Sequence, residues 1–205
     1  MKIAVLGTGH MGTTLAEGFR RAGHTVTFGS RHPELHQDLA PAVTDYASAV
    51  QDSDLVISAL QASAALEALS AHEDLLAGHV LLDIGNAVTE RFELMYPNTS
   101  LGSKLQQALP RTRVVKSLNT LAGTVAVEPS AISEPTTVFL SGDDPDAKSL
   151  VSGLLVDLGW PVEQQVDLGG IETARGPEHY FLLFATLMQA LRGPRWNIAI
   201  HRAAA

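Results

Sequence analysis

Short runs of β-branched and other apolar residues alternate along this chain with longer stretches whose apolar positions recur every three or four residues, and turn residues separate the two. The runs KIAVLG (2–7), HTVTFG (24–29), DLVISAL (54–60), HVLLDIG (79–85), RVVKSLN (113–119) and TTVFLSG (136–142) predict strands, and WPVEQQ (160–165) predicts a seventh. Between the first two, Met11, Leu15, Phe19 and Ala22 fall on one helical face, and Gly23 is placed to end that helix. Further helices are expected over AALEALSAHEDLL (64–76), over SKLQQAL (103–109) up to Pro110, and over DPDAKSLVSGLLVDLG (144–159), which opens on acids and closes on glycine. Strands alternating with helices predict an α/β fold, a doubly wound and mainly parallel sheet. DLGGIETARGP (167–177) looks like a hinge before a terminal helix from about Glu178 to Arg192 and a tail. The expected division is therefore a main domain over 1–170 and a short helical segment over 171–205.

Composition narrows the chemistry. The 205 residues are 45% hydrophobic and 18% charged, which suits one globular domain with an appendage. A balance of 14 basic against 22 acidic side chains, net −8, repels nucleic acid and anionic membrane. There is no cysteine, which excludes disulfides, thiolate metal sites, iron–sulfur ligation and a cysteine nucleophile. The start, MKIAVLG, fits a buried strand and lacks the core of a signal peptide. Tyr180 to Leu191 is interrupted by Thr186 and Gln189 and is too short to span a bilayer. These features lead us to expect a cytoplasmic protein with neither a membrane nor a nucleic-acid partner.

Gly7-Thr8-Gly9-His10-Met11-Gly12 follows a predicted strand and opens a predicted helix, the context in which a G-x-G-x-x-G pattern binds a dinucleotide. The first glycine permits the tight turn, the second lets the backbone approach a pyrophosphate, and the third allows close helix–strand packing. The helix N-terminus then offers amide donors to that anion. His10 reads as a spacer at the solvent edge.

A site selective for NAD ends its second strand on an acid that binds the ribose hydroxyls. Here Gly29-Ser30-Arg31 stands instead, 18 residues past Gly12, with a hydroxyl and a guanidinium suited to a 2′-phosphate. The expected cofactor is NADP(H), with His32 as a further donor. His32 and His36 have no third ligand in view and Pro33 lies between them, so no metal site is expected. Leu60, Gln61 and Asn86 end the next two strands, where doubly wound folds bind ligands.

The pieces GTGHMG, FGSR, VVKSLNT, FLSGDDPDAK and DLGGIETAR, in that order and across almost the whole length, resemble the family of NADPH-dependent coenzyme F420 reductases. They are also similar to the NADPH domain of the six-transmembrane metalloreductases. The resemblance implies a homodimer on a Rossmann-type fold that transfers hydride between NADP(H) and a flavin or deazaflavin acceptor, such as coenzyme F420, FMN or FAD. Carried over by position, Thr8, His10 and Met11 would meet the pyrophosphate. Ser30 and Arg31 would take the 2′-phosphate, and Asn119, Thr120, Leu121 and Ala122 the nicotinamide side. The archaeal F420 enzymes read Leu-His-Thr-Ile-Pro where this chain reads Leu118-Asn119-Thr120-Leu121-Ala122, and Lys116 to Thr120 is closer to the metalloreductase form.

Hydride transfer between two stacked rings needs few catalytic side chains, and Asn119 is the candidate for a polar contact to the acceptor or the carboxamide, with closure of the turn as its other role. Two alternatives stay open: reduction of a small carbonyl or imine, and NADP(H) binding without turnover in a redox sensor or partner subunit. The apolar run from Tyr180 through Leu191 suits either core packing or a dimer interface, and Trp196 either a pocket wall or packing.

Overall fold

The computed structural model describes residues 1–36, 38–39, 43–201 and 203. Its strands are β1 (Lys2–Leu6), β2 (Thr25–Gly29), β3 (Val43–Thr44), β4 (Leu55–Ser58), β5 (Val80–Asp83), β6 (Arg113–Ser117), β7 (Val138–Gly142) and β8 (Gln165–Asp167). They form one sheet in the order β3-β2-β1-β4-β5-β6-β7-β8. Every neighbouring pair is parallel except β6 and β7, so the sheet is Rossmann-type and mainly parallel as expected. The chain runs outward to β3 and then crosses back to β4 on the far side of β1. That reversal leaves a crevice at the carboxyl ends of β1 and β4.

Alternation along the strands builds a core on each face of the sheet. Ile3, Val5, Leu55, Ile57, Leu82 and Val115 pack on one side with Leu15 and Phe19 of helix α1 (His10–Arg21) and with helix α7 (Pro145–Asp157). Ala4, Leu6, Val56, Leu81 and Val114 pack on the other, beneath α2 (Tyr46–Gln51), α3 (Ala62–Ser70), α4 (Glu73–Leu76) and α5 (Leu101–Ala108). A short helix α6 (Gly123–Val127) follows β6, and α8 (Arg175–Ala190) is the long terminal helix. The same alternation puts Asp83 on the face of Leu81, and Lys116 on the face of Val114. Each strand thus delivers a charged group to the second face at its carboxyl end.

Several boundaries differ from the sequence pattern. WPVEQQ is not a strand: the Trp160 indole is fully buried and donates to the Ala126 carbonyl at 2.9 Å, Val162–Gln164 form a 3-10 turn, and pairing starts only at Gln165. The helix expected over 64–76 is broken at His72, whose backbone leaves helical geometry and whose ring sits edge-on to Tyr46 at 5.4 Å. The terminal helix begins at Arg175, three residues early, because Pro177 lies in the first turn, where its missing N–H costs no helical bond. The strand β3 and the helices α2 and α6 are too short for periodicity to announce. Asp45, which accepts from the Ser48 amide at 2.9 Å, caps α2.

After α8 the tail returns to the sheet. The Ile198 carbonyl accepts from the Thr137 amide, and the Asn197 carboxamide donates to the Thr137 carbonyl, both at 2.9 Å. Trp196 packs on Phe184, with ring centroids 5.1 Å apart, while Leu183 and Leu191 are exposed. No helix among the described residues is long and apolar enough to cross a membrane.

Candidate dinucleotide-binding site

The glycine loop joins β1 to α1 and meets two separate steric demands. Gly7 has φ of +113°, and a Cβ there would lie 2.5 Å from the Ala59 carbonyl oxygen. A Cβ on Gly12 would lie 2.5 Å from the Gly7 carbonyl oxygen, so helix and turn could not approach as they do. Gly9 is different: it is the N-cap of α1, and a Cβ there would meet nothing within 4 Å. The helix has neither a side-chain cap nor an acid in its first turn. Its first amides are therefore left for a ligand, with the positive end of the helix dipole behind them.

Around this loop the structure gathers most of the residues singled out by sequence. Gly7 packs against the Ala59–Leu60 backbone. Thr8 Oγ1 shares a hydrogen bond of 3.2 Å with His36 Nε2. The Met11 sulfur lies 3.0 Å from where a Cβ on Gly123 would stand, so Met11 meets the chain just after Ala122. At the end of β2, Ser30 is buried and its Oγ accepts from the His32 amide at 3.1 Å, which bends the chain and leaves Arg31 exposed. Burial pushes the neighbouring Tyr46 phenol up, and the Arg31 guanidinium partly offsets that. His32 turns to Glu34 at 3.2 Å while His36 turns to Thr8, so the two imidazoles engage separate partners. Among the described residues no group of three or more potential ligands could hold a metal ion. Gln61 is exposed at the start of α3, and Thr120 and Leu121 are buried, Leu121 in the core.

A second cluster lies where β5 and β6 end. Leu118 adopts left-handed backbone, φ 59°, which costs a side chain of its size about 1–2 kcal/mol and is held here by burial in the core. That bend brings Asn119 to Asn86 in a reciprocal pair. Asn86 Nδ2 donates to the Asn119 carbonyl at 2.7 Å, and Asn119 Nδ2 donates to Asn86 Oδ1 at 2.9 Å. Asn119 is 4% exposed, and its Oδ1 has no donor within the protein. A buried carbonyl oxygen left so is an acceptor awaiting a partner.

Beside this pair is a buried ionic cluster that the sequence pattern did not reveal. Lys116 Nζ donates to Asp83 Oδ2 at 2.7 Å, to Glu178 Oε1 at 3.0 Å and to the Gly85 carbonyl. Glu178, from α8, also accepts from the amides of Leu101 and Gly102 at 2.8 and 3.0 Å, where it acts as the anion at the start of α5. Burial, and then the Glu178 charge, push the Asp83 carboxyl up against the pull of Lys116. Burial alone would lower Lys116, but the two carboxylates hold it above the ordinary lysine value.

The chain is similar to known oxidoreductases along most of its length. A family model described as NADP oxidoreductase, coenzyme F420-dependent, matches residues 2–87. The crystal structure of a candidate F420-dependent NADP reductase from Arthrobacter sp. FB24 is 35% identical with a TM-score of 0.91, covering 98% of this chain and 100% of that one. The metalloreductase STEAP3 of Rattus norvegicus is 28% identical over 180 residues, 86% of this chain and 36% of that protein. The NAD(P)+ glycerol-3-phosphate dehydrogenase of Chlorobium limicola is 24% identical over 210 residues, 93% of this chain and 61% of that protein. The chain thus spans only part of the length of these last two relatives.

Proposed function

The chain belongs to the family of coenzyme F420-dependent NADP oxidoreductases, and on that premise we propose that it transfers a hydride between NADP(H) and a flavin or deazaflavin acceptor. The residues present fit the dinucleotide: an uncapped helix N-terminus faces open space at Gly9, a guanidinium stands at the end of β2, and an orphan amide oxygen lies where β6 ends. When bound, NADPH supplies the hydride. The amides of the first turn of α1 bind its pyrophosphate, Ser30 and Arg31 hold its 2′-phosphate with His32 beside them, and Thr8 closes the loop against His36. Asn119 Oδ1 accepts from the carboxamide, and Thr120, Leu121 and Ala122 continue that wall. Leu60, Gln61 and Asn86 line the crevice between the two ends.

The observation that carries the choice of acceptor is the state of Lys116. A carbonyl needs a proton on its oxygen as hydride arrives, whereas a tricyclic ring spreads the incoming charge. Lys116 is the lysine nearest in sequence to Asn119, and its ammonium is buried and committed to three oxygens. It is not placed to serve as a proton donor. Stopped-flow mixing of the protein and NADPH with coenzyme F420, FMN, FAD or riboflavin should show fast reduction of one of them. Tight NADPH binding without reduction of any of the four would overturn this reading in favour of a small carbonyl or imine substrate, or of a sensor. The same reading includes a homodimer, with the exposed Leu183 of α8 and Leu191 just after it in the contact and the segment 171–205 as the pairing element.

Gly9 separates binding from folding. Its backbone, φ −73° and ψ 175°, suits any residue, and a methyl there meets nothing. Gly9→Ala is expected to change folding stability by less than about 1 kcal/mol. NADPH affinity should fall at least about tenfold, because the added methyl stands where the pyrophosphate must approach the backbone. Thermal melts and a fluorescence titration of one preparation check both halves.

A further inference from the structure

One peptide unit joins the ionic cluster to the asparagine pair. The Gly85 amide donates to Asp83 Oδ1 at 3.1 Å, and the Gly85 carbonyl accepts from Lys116 Nζ. Gly85 is gripped from both sides, and the next residue is Asn86, whose carboxamide exchanges two hydrogen bonds with Asn119. Lys116 is itself steadied from a distant element, since Glu178 of α8 meets the ammonium at 3.0 Å.

An ion pair this deeply buried is a poor way to gain stability, because apolar side chains of the same volume commonly serve as well or better. What an apolar residue cannot do is hold the Gly85 carbonyl in place. We infer that Lys116 is a positioning residue: anchored by Glu178, it fixes the Gly85–Asn86 backbone and thereby aims Asn119 Oδ1 into the site. This rests on Asn119 Oδ1 being the acceptor for the nicotinamide carboxamide. The first turn of α8 and the hydride-transfer end of the crevice are then one mechanical unit, whereas the adenosine end, at Arg31, is built on β2 and does not depend on it.

The two ends can be titrated separately. Adenosine 2′,5′-bisphosphate fills only the end at Arg31, while NADPH fills both. Dissociation constants for both ligands are compared in the wild type, Lys116→Met, Glu178→Gln, Asn119→Ala and the double variant Lys116→Met/Asn119→Ala. Affinity for the bisphosphate should stay within about twofold throughout, the ordinary scatter for sites that do not couple. NADPH should weaken about tenfold in Lys116→Met, the equivalent of one lost neutral hydrogen bond, and less in Glu178→Gln. In the Asn119→Ala background, Lys116→Met should add nothing.

Equal weakening of both ligands, no weakening of either, or a full additional loss in the double variant would each overturn the inference. Should Lys116→Met fail to fold, Glu178→Gln makes the same comparison as the milder change: it removes the charge that anchors Lys116, and glutamine keeps one of the two oxygens that accept here, Oε2 from the Leu101 amide and Oε1 from the Gly102 amide. A wild type that does not bind the bisphosphate would instead overturn the cofactor reading itself, and this inference with it.

Discussion

Lys116→Met is expected to cost about 3–5 kcal/mol of folding stability, the range found when one partner is removed from a buried ion pair. Asp83 and Glu178 are 0% and 4% exposed, so without the ammonium two carboxylates face each other with no cation and little water. Against a total stability of roughly 5–15 kcal/mol this is a large share, yet it leaves a folded protein if the wild type lies in the upper part of that range. Urea denaturation should show a lowered midpoint with an unchanged slope. The pH dependence adds a second signature. Lys116 is held above its unfolded value, so its contribution is complete below the ordinary lysine range and is lost as pH rises through the raised folded value. The wild type should weaken on that alkaline side, and the methionine variant should lack this step. A loss much smaller than about 3 kcal/mol would mean that one carboxylate takes up a proton when the lysine is gone.

Arg31→Ala should discriminate between the two nicotinamide cofactors. Arg31 is exposed beside the buried Ser30, at the strand end where an NAD-selective site would carry an acid. Removing a charge-assisted bond to the 2′-phosphate should weaken NADPH by about 1.5–3 kcal/mol, or roughly 10- to 150-fold. NADH has no phosphate there, and its affinity should barely move. Raising the salt concentration should shrink the difference, since an exposed pair is screened. Equal weakening of both cofactors would remove Arg31 from the phosphate site and leave it an ordinary loop arginine.

The glycine loop and the turn after β2 were legible in the sequence because their requirements are local. Gly7 and Gly12 each answer to a neighbour within a few residues or at the end of the adjoining strand, Gly9 stands between them in the same loop, and Ser30 and Arg31 are placed by the end of a single strand. Six of the strands, β1, β2 and β4 to β7, were legible for a similar reason, as an apolar run is a property of each segment alone. The ionic cluster was not, because its members lie at positions 83, 116 and 178 and meet only once β5, β6 and α8 are assembled. A signal was present in part. VLLD and VVKS each place a charged residue in an otherwise apolar strand, and an acid and a lysine in parallel strands suggest a pair. Nothing comparable marks Glu178, whose role depends on how α8 docks. The displacement of β8 had the same origin: Trp160 looked like the start of a strand, but its indole is committed to the Ala126 carbonyl on another element.

The bonds from Glu178 to the Leu101 and Gly102 amides also impose an order on the making of the molecule. Synthesis proceeds from the amino end, so the strands β1 to β6 emerge long before residue 178 does. Until then Asp83 is the one counter-charge to Lys116 among the described residues, and the first amides of α5 have no acceptor from α8. A nascent chain can close the glycine loop early. The other half of the crevice takes its final form only when the last helix arrives.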